Sequence, residues 1–231
     1  MYCRLPGVTW AGSEEQARDQ AFAHGCRFYT CQAVKTFLEM TVRSQHFPTP
    51  QYRQCTSDLK RGPLEKLMRQ LSKELDRPLL IDCQGLAARE SPDRAKLRTW
   101  KRNPRLSKAG RTAWTWLAVH NYSLAQVWAS QGHTQEDLDR RRALWRAGDR
   151  AAAVLGWNFH WAYVAGMSRL SCCFCIYSSD ADLVTAAELE PEKLADIVAV
   201  EKEIGHTFKM PRKGQQPRTL DVVIAEIQAR A

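Results

Sequence analysis

Two thiols three positions apart, Cys172 and Cys175, sit in the segment Ser168-Arg169-Leu170-Ser171-Cys172-Cys173-Phe174-Cys175. Thiolates at this spacing can chelate a metal ion, attach an iron–sulfur cluster or cycle as a redox dithiol, whereas buried cysteines can also pack simply as small hydrophobes. Arg169, three residues ahead of Cys172, is placed to favour its thiolate or to hold an anion. A second segment, Arg53-Gln54-Cys55-Thr56-Ser57-Asp58-Leu59-Lys60-Arg61, combines one thiol with three cations. If a helix begins just after Cys55, its sulfur meets free backbone N–H groups at the positive dipole end, and Arg53, Lys60 and Arg61 add potential for a sulfate or phosphate. Thr56 or Ser57 capping a helix with solvated neighbours is the plainer reading.

A third segment, Gly85-Leu86-Ala87-Ala88-Arg89-Glu90-Ser91-Pro92-Asp93-Arg94, follows an apolar run and can leave the carboxyl end of a strand, where open α/β sheets bind ligands. Arg89 and Arg94 suit an anion there; Glu90 and Ser91 equally suit the cap of the next helix.

The elements that must position these groups follow from periodicity. Residues 27–31 and Leu79-Leu80-Ile81-Asp82-Cys83 read as short buried strands, and residues 113–119 as a third. Ser13-Glu14-Glu15-Gln16 has the form of a capping box opening a helix. Leu64, Leu67, Met68, Leu71 and Leu75 lie on one face of a helix beginning near Thr56 or Ser57 and stopped by Pro78. Helical patterns follow over 124–130, 136–155, 180–188, 192–204 and 220–231. Strands alternating with helices and then giving way to helices predict an α/β fold: a parallel sheet flanked by helices over residues 1–122 and a mainly helical part over 123–231, within one domain.

The 231 residues carry 34 Lys and Arg against 25 Asp and Glu, a net charge of +9. A polyanionic partner suits that balance, as does a solvated basic surface. Residues 94–111 hold eight cations and no carboxylate, an electropositive rim able to meet nucleic acid. No signal core opens the chain, and the longest apolar-rich run, 151–167, is broken by Asn158 and His160, so no membrane partner is expected. Eight cysteines without such a signal read as reduced thiols in a cytoplasmic protein.

Taken in order, these segments resemble the phosphoadenosine phosphosulfate reductase family, with its phage and DNA-phosphorothioation relatives in the adenine nucleotide α-hydrolase superfamily. Val8-Thr9-Trp10-Ala11-Gly12-Ser13 is similar to the family segment after its second strand, residues 53–63 to its Cys-Thr-x-x-Leu-Lys-x-x-Pro block, and residues 85–94 to its Gly-Ile-Arg-Ala-x-Glu-Ser-x-x-Arg loop. Trp128, Tyr163-x-x-Gly166-x-Ser168-Arg169 and Cys172-x-x-Cys175 match the C-terminal pattern.

The resemblance implies a Rossmann-like sheet, sulfur metabolism on an adenine nucleotide or sulfonucleotide, and nucleotide or anion contacts at Lys60, Arg61, Glu90, Ser91, Arg94 and Arg169. It places cluster or redox thiols at Cys55, Cys172 and Cys175; in the oxidoreductase reading Cys172 or Cys175 is the attacking thiolate here, whereas the family's usual catalytic cysteine lies in a C-terminal tail. The cofactor implied is a 4Fe-4S cluster; zinc and no metal are the alternatives.

Four departures qualify this. Thr56 stands where cluster-bearing members have a second cysteine, leaving a four-thiolate cluster one ligand short. Cys173 is a poor substitute because adjacent side chains diverge, Cys26, Cys31 and Cys83 serve only if the fold brings them close, and the alternative is a partly open cluster or zinc completed by His160 or His206. Ala87 stands where the loop usually has Arg. No two glycines are adjacent, so the family's Ser-Gly-Gly-x-Asp-Ser phosphate loop is absent from these residues, and a protein partner supplying it is expected. No Cys follows Cys175, which disfavours catalysis by a cysteine in a C-terminal tail. The alternatives are an iron–sulfur sulfurtransferase or ATP-pyrophosphatase subunit, or a non-catalytic metal-stabilised module that binds nucleic acid.

Overall fold

The computed structural model describes residues 1–211, 214 and 216–230. The chain divides into two units, one of residues 1–64 with the described residues from 144 onward, the other of residues 65–143.

In the first unit, strand β1 (Tyr2–Arg4) pairs in parallel with β2 (Thr30–Gln32), placing Cys3 opposite Cys31. Sequence periodicity had no signal for β1, whose three residues are too few to show one. The helix Ser13–Ala23 forms as expected, but its predicted capping box does not: Gly12 is the N-cap with φ 77°, and the Ser13 hydroxyl bonds the His160 ring instead. The working capping box lies one helix later, where Thr36 accepts from the Glu39 N–H and the Glu39 carboxylate accepts from the Thr36 N–H, opening the helix Phe37–Ser44.

Three C-terminal helices, Asp180–Leu189, Pro191–Ile204 and Leu220–Gln228, pack on one another, and the middle one also packs on Phe37–Ser44. Val8, Trp10, Phe47, Leu59, Phe174 and Leu183 are among the side chains of the shared core. Buried Glu201 holds the end of this bundle by accepting the Phe208 and Leu220 N–H groups, each at 2.7 Å. Burial pushes its carboxyl pKa up, and those two N–H groups work against the shift.

The second unit is built on a three-stranded sheet in the order β3 (Leu79–Cys83), β5 (Thr112–Trp116), β4 (Trp100–Arg102), with β3 parallel and β4 antiparallel to the central strand. Leu80 and Ala113 face Met68 and Leu106 across one side of this sheet. Glu65 receives a bidentate Arg105 at 2.7 and 3.0 Å. The α/β class therefore holds, with the strands in two small sheets, one parallel and one mixed. Strand β4 lies inside the cationic run, where charge masks its alternation. Among the described residues no helix is long and apolar enough to cross a membrane.

Candidate functional site

The predicted long helix over 56–75 is interrupted, and the interruption builds the site. A short helix, Gln54–Thr56, passes into a π-helical turn, Ser57–Arg61, before the regular helix Gly62–Glu74. Pro63 supplies no N–H at the junction, and wide turns of this kind often occur at functional positions. The turn buries Leu59 and brings Lys60 toward the C-terminal cysteines, with Lys60 Nζ 3.3 Å from Cys172 Sγ.

From the other side, Asp182 fixes the loop before the cysteines. One of its carboxylate oxygens accepts the Ser168 N–H at 2.7 Å and the other the Ser168 hydroxyl at 2.8 Å. Gly166, at φ 123° and with its missing Cβ position 3.5 Å from Thr185 Oγ1, makes the preceding turn, where a side chain would be strained. The Tyr163 hydroxyl accepts the Leu170 N–H at 3.0 Å. These bonds give physical reasons for the Tyr163, Gly166 and Ser168 spacing. Arg169 then lies with a terminal guanidinium nitrogen 3.6 Å from Cys175 Sγ and with its Nε buried and unpaired.

Cys55, Cys172 and Cys175 thus line one cavity of about 60 Å³ together with Lys60, Tyr177 and apolar Leu5, Val8 and Phe37. Among the described residues no carboxylate lines it. Arg53 and Arg169 each lie 5.9 Å from the Tyr177 ring, so three cations surround the three thiols.

Burial works to lower the Lys60 pKa, but the thiols of Cys172, Cys175 and Cys55 outweigh it and hold the ammonium above its ordinary value. Burial raises the Cys55 thiol, and Lys60 opposes that shift. Cys173 is fully buried and pushed up to about 12, chiefly by desolvation, and its N–H donates to Val8 O at 2.9 Å; it is a packing residue. Among the described residues no three His, Cys, Asp or Glu side chains already converge as a metal-ligand set.

Arg61, in the same unit, does not line this cavity. It ends the π-helical turn as an exposed residue. Glu90, Ser91 and Arg94 belong to the second unit, where the loop uses them itself. Ser91 Oγ accepts the Arg94 N–H at 3.2 Å to cap the helix Pro92–Ala95, Glu90 pairs with Arg94, and His120 Nε2 bonds Arg94 O at 2.9 Å. The capping reading of that loop is the one the geometry realises.

Neither histidine considered as a fourth ligand lines the cavity. His160 Nδ1 accepts the Ala162 N–H at 3.1 Å while Nε2 faces Ser13, and His206 Nδ1 accepts the Phe47 N–H at 3.4 Å.

Sequence reading passed over Cys3. Its thiol donates to Leu59 O at 3.0 Å, inside the π-helical turn, and its pKa is pushed up to about 12 by burial and by Cys31. It therefore acts as a neutral donor bracing the turn that carries Lys60. Only the register of β1 on β2 could have signalled it. Comparison with protein-family models, with curated proteins and with solved structures finds no match for this chain.

Proposed function

We propose that this cavity performs thiol-based sulfur chemistry on an activated sulfate, as the resemblance to phosphoadenosine phosphosulfate reductases implies. The observation that carries the reading is the Lys60–Cys172 contact at 3.3 Å in a cavity lined by thiols and, among the described residues, by no carboxylate. An ammonium at that distance stabilises a thiolate and attracts a sulfonate to the same point.

In this reading the Cys172 thiolate attacks the sulfur of the sulfonucleotide. A Cys172 S–S bond forms, the S–O bond to the nucleotide breaks, and the nucleotide leaves as its phosphate. Cys175, as a thiolate beside Arg169, then attacks Cys172 Sγ. The product disulfide holds the two-electron oxidation, sulfite departs with its bonding pair, and a small dithiol regenerates the pair. The buried unpaired Arg169 Nε is a donor available to the sulfonate oxygens.

The finer fold proposal, a Rossmann-like nucleotide-binding sheet, belongs with this reading. So does a phosphate loop supplied by polypeptide outside these 231 residues: among the described residues β3 is an edge strand of its sheet and β1 pairs only with β2, so each has an edge that a further strand could extend.

A 4Fe-4S cluster is the second reading, with a donor set one ligand short: neither His160 nor His206 lines the cavity, and among the described residues no three ligands already converge. Three soft thiols share a cavity, and cationic N–H groups already point to two of the sulfurs, which favours an anionic group. Cys55, Cys172 and Cys175 would hold it, and a bound cluster would supply electrons. Zinc fits less well because its ligands must meet at one point.

The test is sulfite release by the reduced full chain with a dithiol, at an adenylyl sulfonucleotide concentration high enough to load the site without the phosphate loop. Sulfite is expected from the wild type, none from Cys172→Ser, and a trapped S-sulfonate on Cys172 in Cys175→Ser. Sulfite production that survives Cys172→Ser contradicts the assignment, and iron with sulfide in protein purified without oxygen turns it toward the cluster reading.

A further inference from the structure

The sheet of the second unit is covered on one side only. Register places Ile81 and Cys83 of β3, Trp114 and Trp116 of β5, and Trp100 and Arg102 of β4 on the side opposite Leu80 and Ala113. On this open side Ile81 is 46% exposed, Trp100 44% and Trp116 43%. Indole rings left this far in water on a regular sheet mark a surface meant to be covered.

The rings are ordered against one another. Trp100 and Trp114 stack with centroids 5.8 Å apart and planes at 23°, and Trp116 lies 6.4 Å from Trp100. Cross-strand packing thus pre-forms a platform and limits the entropy lost on binding.

Charge decides what lies on it. Within the carboxylate-free run 94–111, Arg105 is engaged by Glu65 and Arg111 donates inward to Leu106 O at 2.8 Å. Arg98, Lys101, Arg102 and Lys108 form no ion pair among the described residues. Arg102 stands on the platform face itself, opposite Trp114. An apolar protein surface laid here would desolvate that cation without pairing it, at a cost. A ligand that presents flat π faces and regularly spaced negative charge satisfies both the rings and the cations. A duplex hides its base faces, whereas a single strand offers them.

We propose that this face binds single-stranded nucleic acid, its bases stacking on Trp100, Trp114 and Trp116 and its phosphates meeting Arg102 on the face and the neighbouring Arg98 and Lys108. The inference is independent of the thiol chemistry, because it rests on residues of the second unit alone.

Anisotropy of a labelled oligo(dT) titrated with the full chain at several salt concentrations tests it, beside a duplex of equal length. The single strand is expected to bind more tightly than the duplex. Trp100→Ala should weaken it about tenfold or more with the salt slope retained, and Trp100→Phe should keep most of the affinity. Replacing Arg98 and Arg102 together by Gln should lower the slope by about 0.7 per lost phosphate contact. Equal affinity for duplex and single strand, or binding indifferent to both Trp100 variants, overturns the proposal. So does a Trp100-dependent self-association in sedimentation without oligonucleotide binding, which would make the face a contact between copies of this chain. Sulfite production is read separately, so the failure of either reading leaves the other standing.

Discussion

Replacing Lys60 by Met slows iodoacetamide labelling of Cys172 near neutral pH by about tenfold or more, while labelling of exposed Cys26 stays unchanged. The contact of 3.3 Å joins a cation to a sulfur in a half-buried cavity, where the effective dielectric is well below that of water. Removing the ammonium takes away the nearest stabilising charge and leaves the sulfur among Leu5, Val8 and Phe37. Met keeps much of the apolar stem, so the comparison isolates the charge. Lys60 also touches the neighbouring chemistry through Cys55, whose burial it partly offsets, so Cys55 labelling should slow in the same variant. Peptide mapping by mass spectrometry after short exposures reads all eight cysteines in one experiment. Unchanged Cys172 labelling in Lys60→Met would separate the cation from the thiol and remove the basis of the proposed attack.

Acid weakens the first unit through His160. Desolvation lowers its pKa from 6.5 to about 4, and the ring sits almost wholly buried between Ser13 and the Ala162 N–H. Because Nδ1 accepts that N–H, the neutral ring carries its proton on Nε2 and donates to the Ser13 hydroxyl. The folded pKa lies below the unfolded one, so the unfolded chain takes up the proton first as pH falls. The stabilisation from the neutral ring is complete above about 6.5, declines as pH falls toward 4 and is flat below that, amounting to up to about 3 kcal/mol. Burial raises the Glu201 carboxyl, which acts in the opposite sense, so the readout is the difference between wild type and His160→Gln in urea unfolding at each pH. The difference should shrink from pH 6.5 to 4; a constant difference would mean that His160 does not titrate across folding.

Much of the architecture was legible where periodicity ran long enough to show. Residues 79–83 form the strand their apolar run predicts but not a buried one, since one side of it, Leu79, Ile81 and Cys83, faces solvent; the three C-terminal helices fall within a few residues of their expected bounds. Short elements escaped: β1 and β4 have three residues each, and β4 is embedded among cations. The Ser13 capping motif misled because its hydroxyl had a better partner 147 residues away. Residue types singled out the Cys55–Lys60 and Arg169–Cys175 segments separately, and only the family resemblance implied that they share a site. What sequence could not show was the π-helical turn that presents Lys60, or the Cys3 thiol that braces it, because both depend on register and on a change of helical pitch. The loop of Glu90, Ser91 and Arg94 was ambiguous between cap and anion contact, and local hydrogen bonding resolved it as a cap.

The central claim, that Cys172 carries the sulfonate beside Lys60 while Cys175 resolves it, has a direct test that needs no nucleotide. Oxidised with a small-molecule disulfide, Cys172 and Cys175 form a bond that sulfite cleaves, leaving one sulfur as the S-sulfonate and the other as a free thiol. Peptide mapping of the product should find the S-sulfonate on Cys172, the sulfur facing Lys60, with Cys175 free. An S-sulfonate placed mainly on Cys175, or no Cys172–Cys175 disulfide to cleave, would contradict the account.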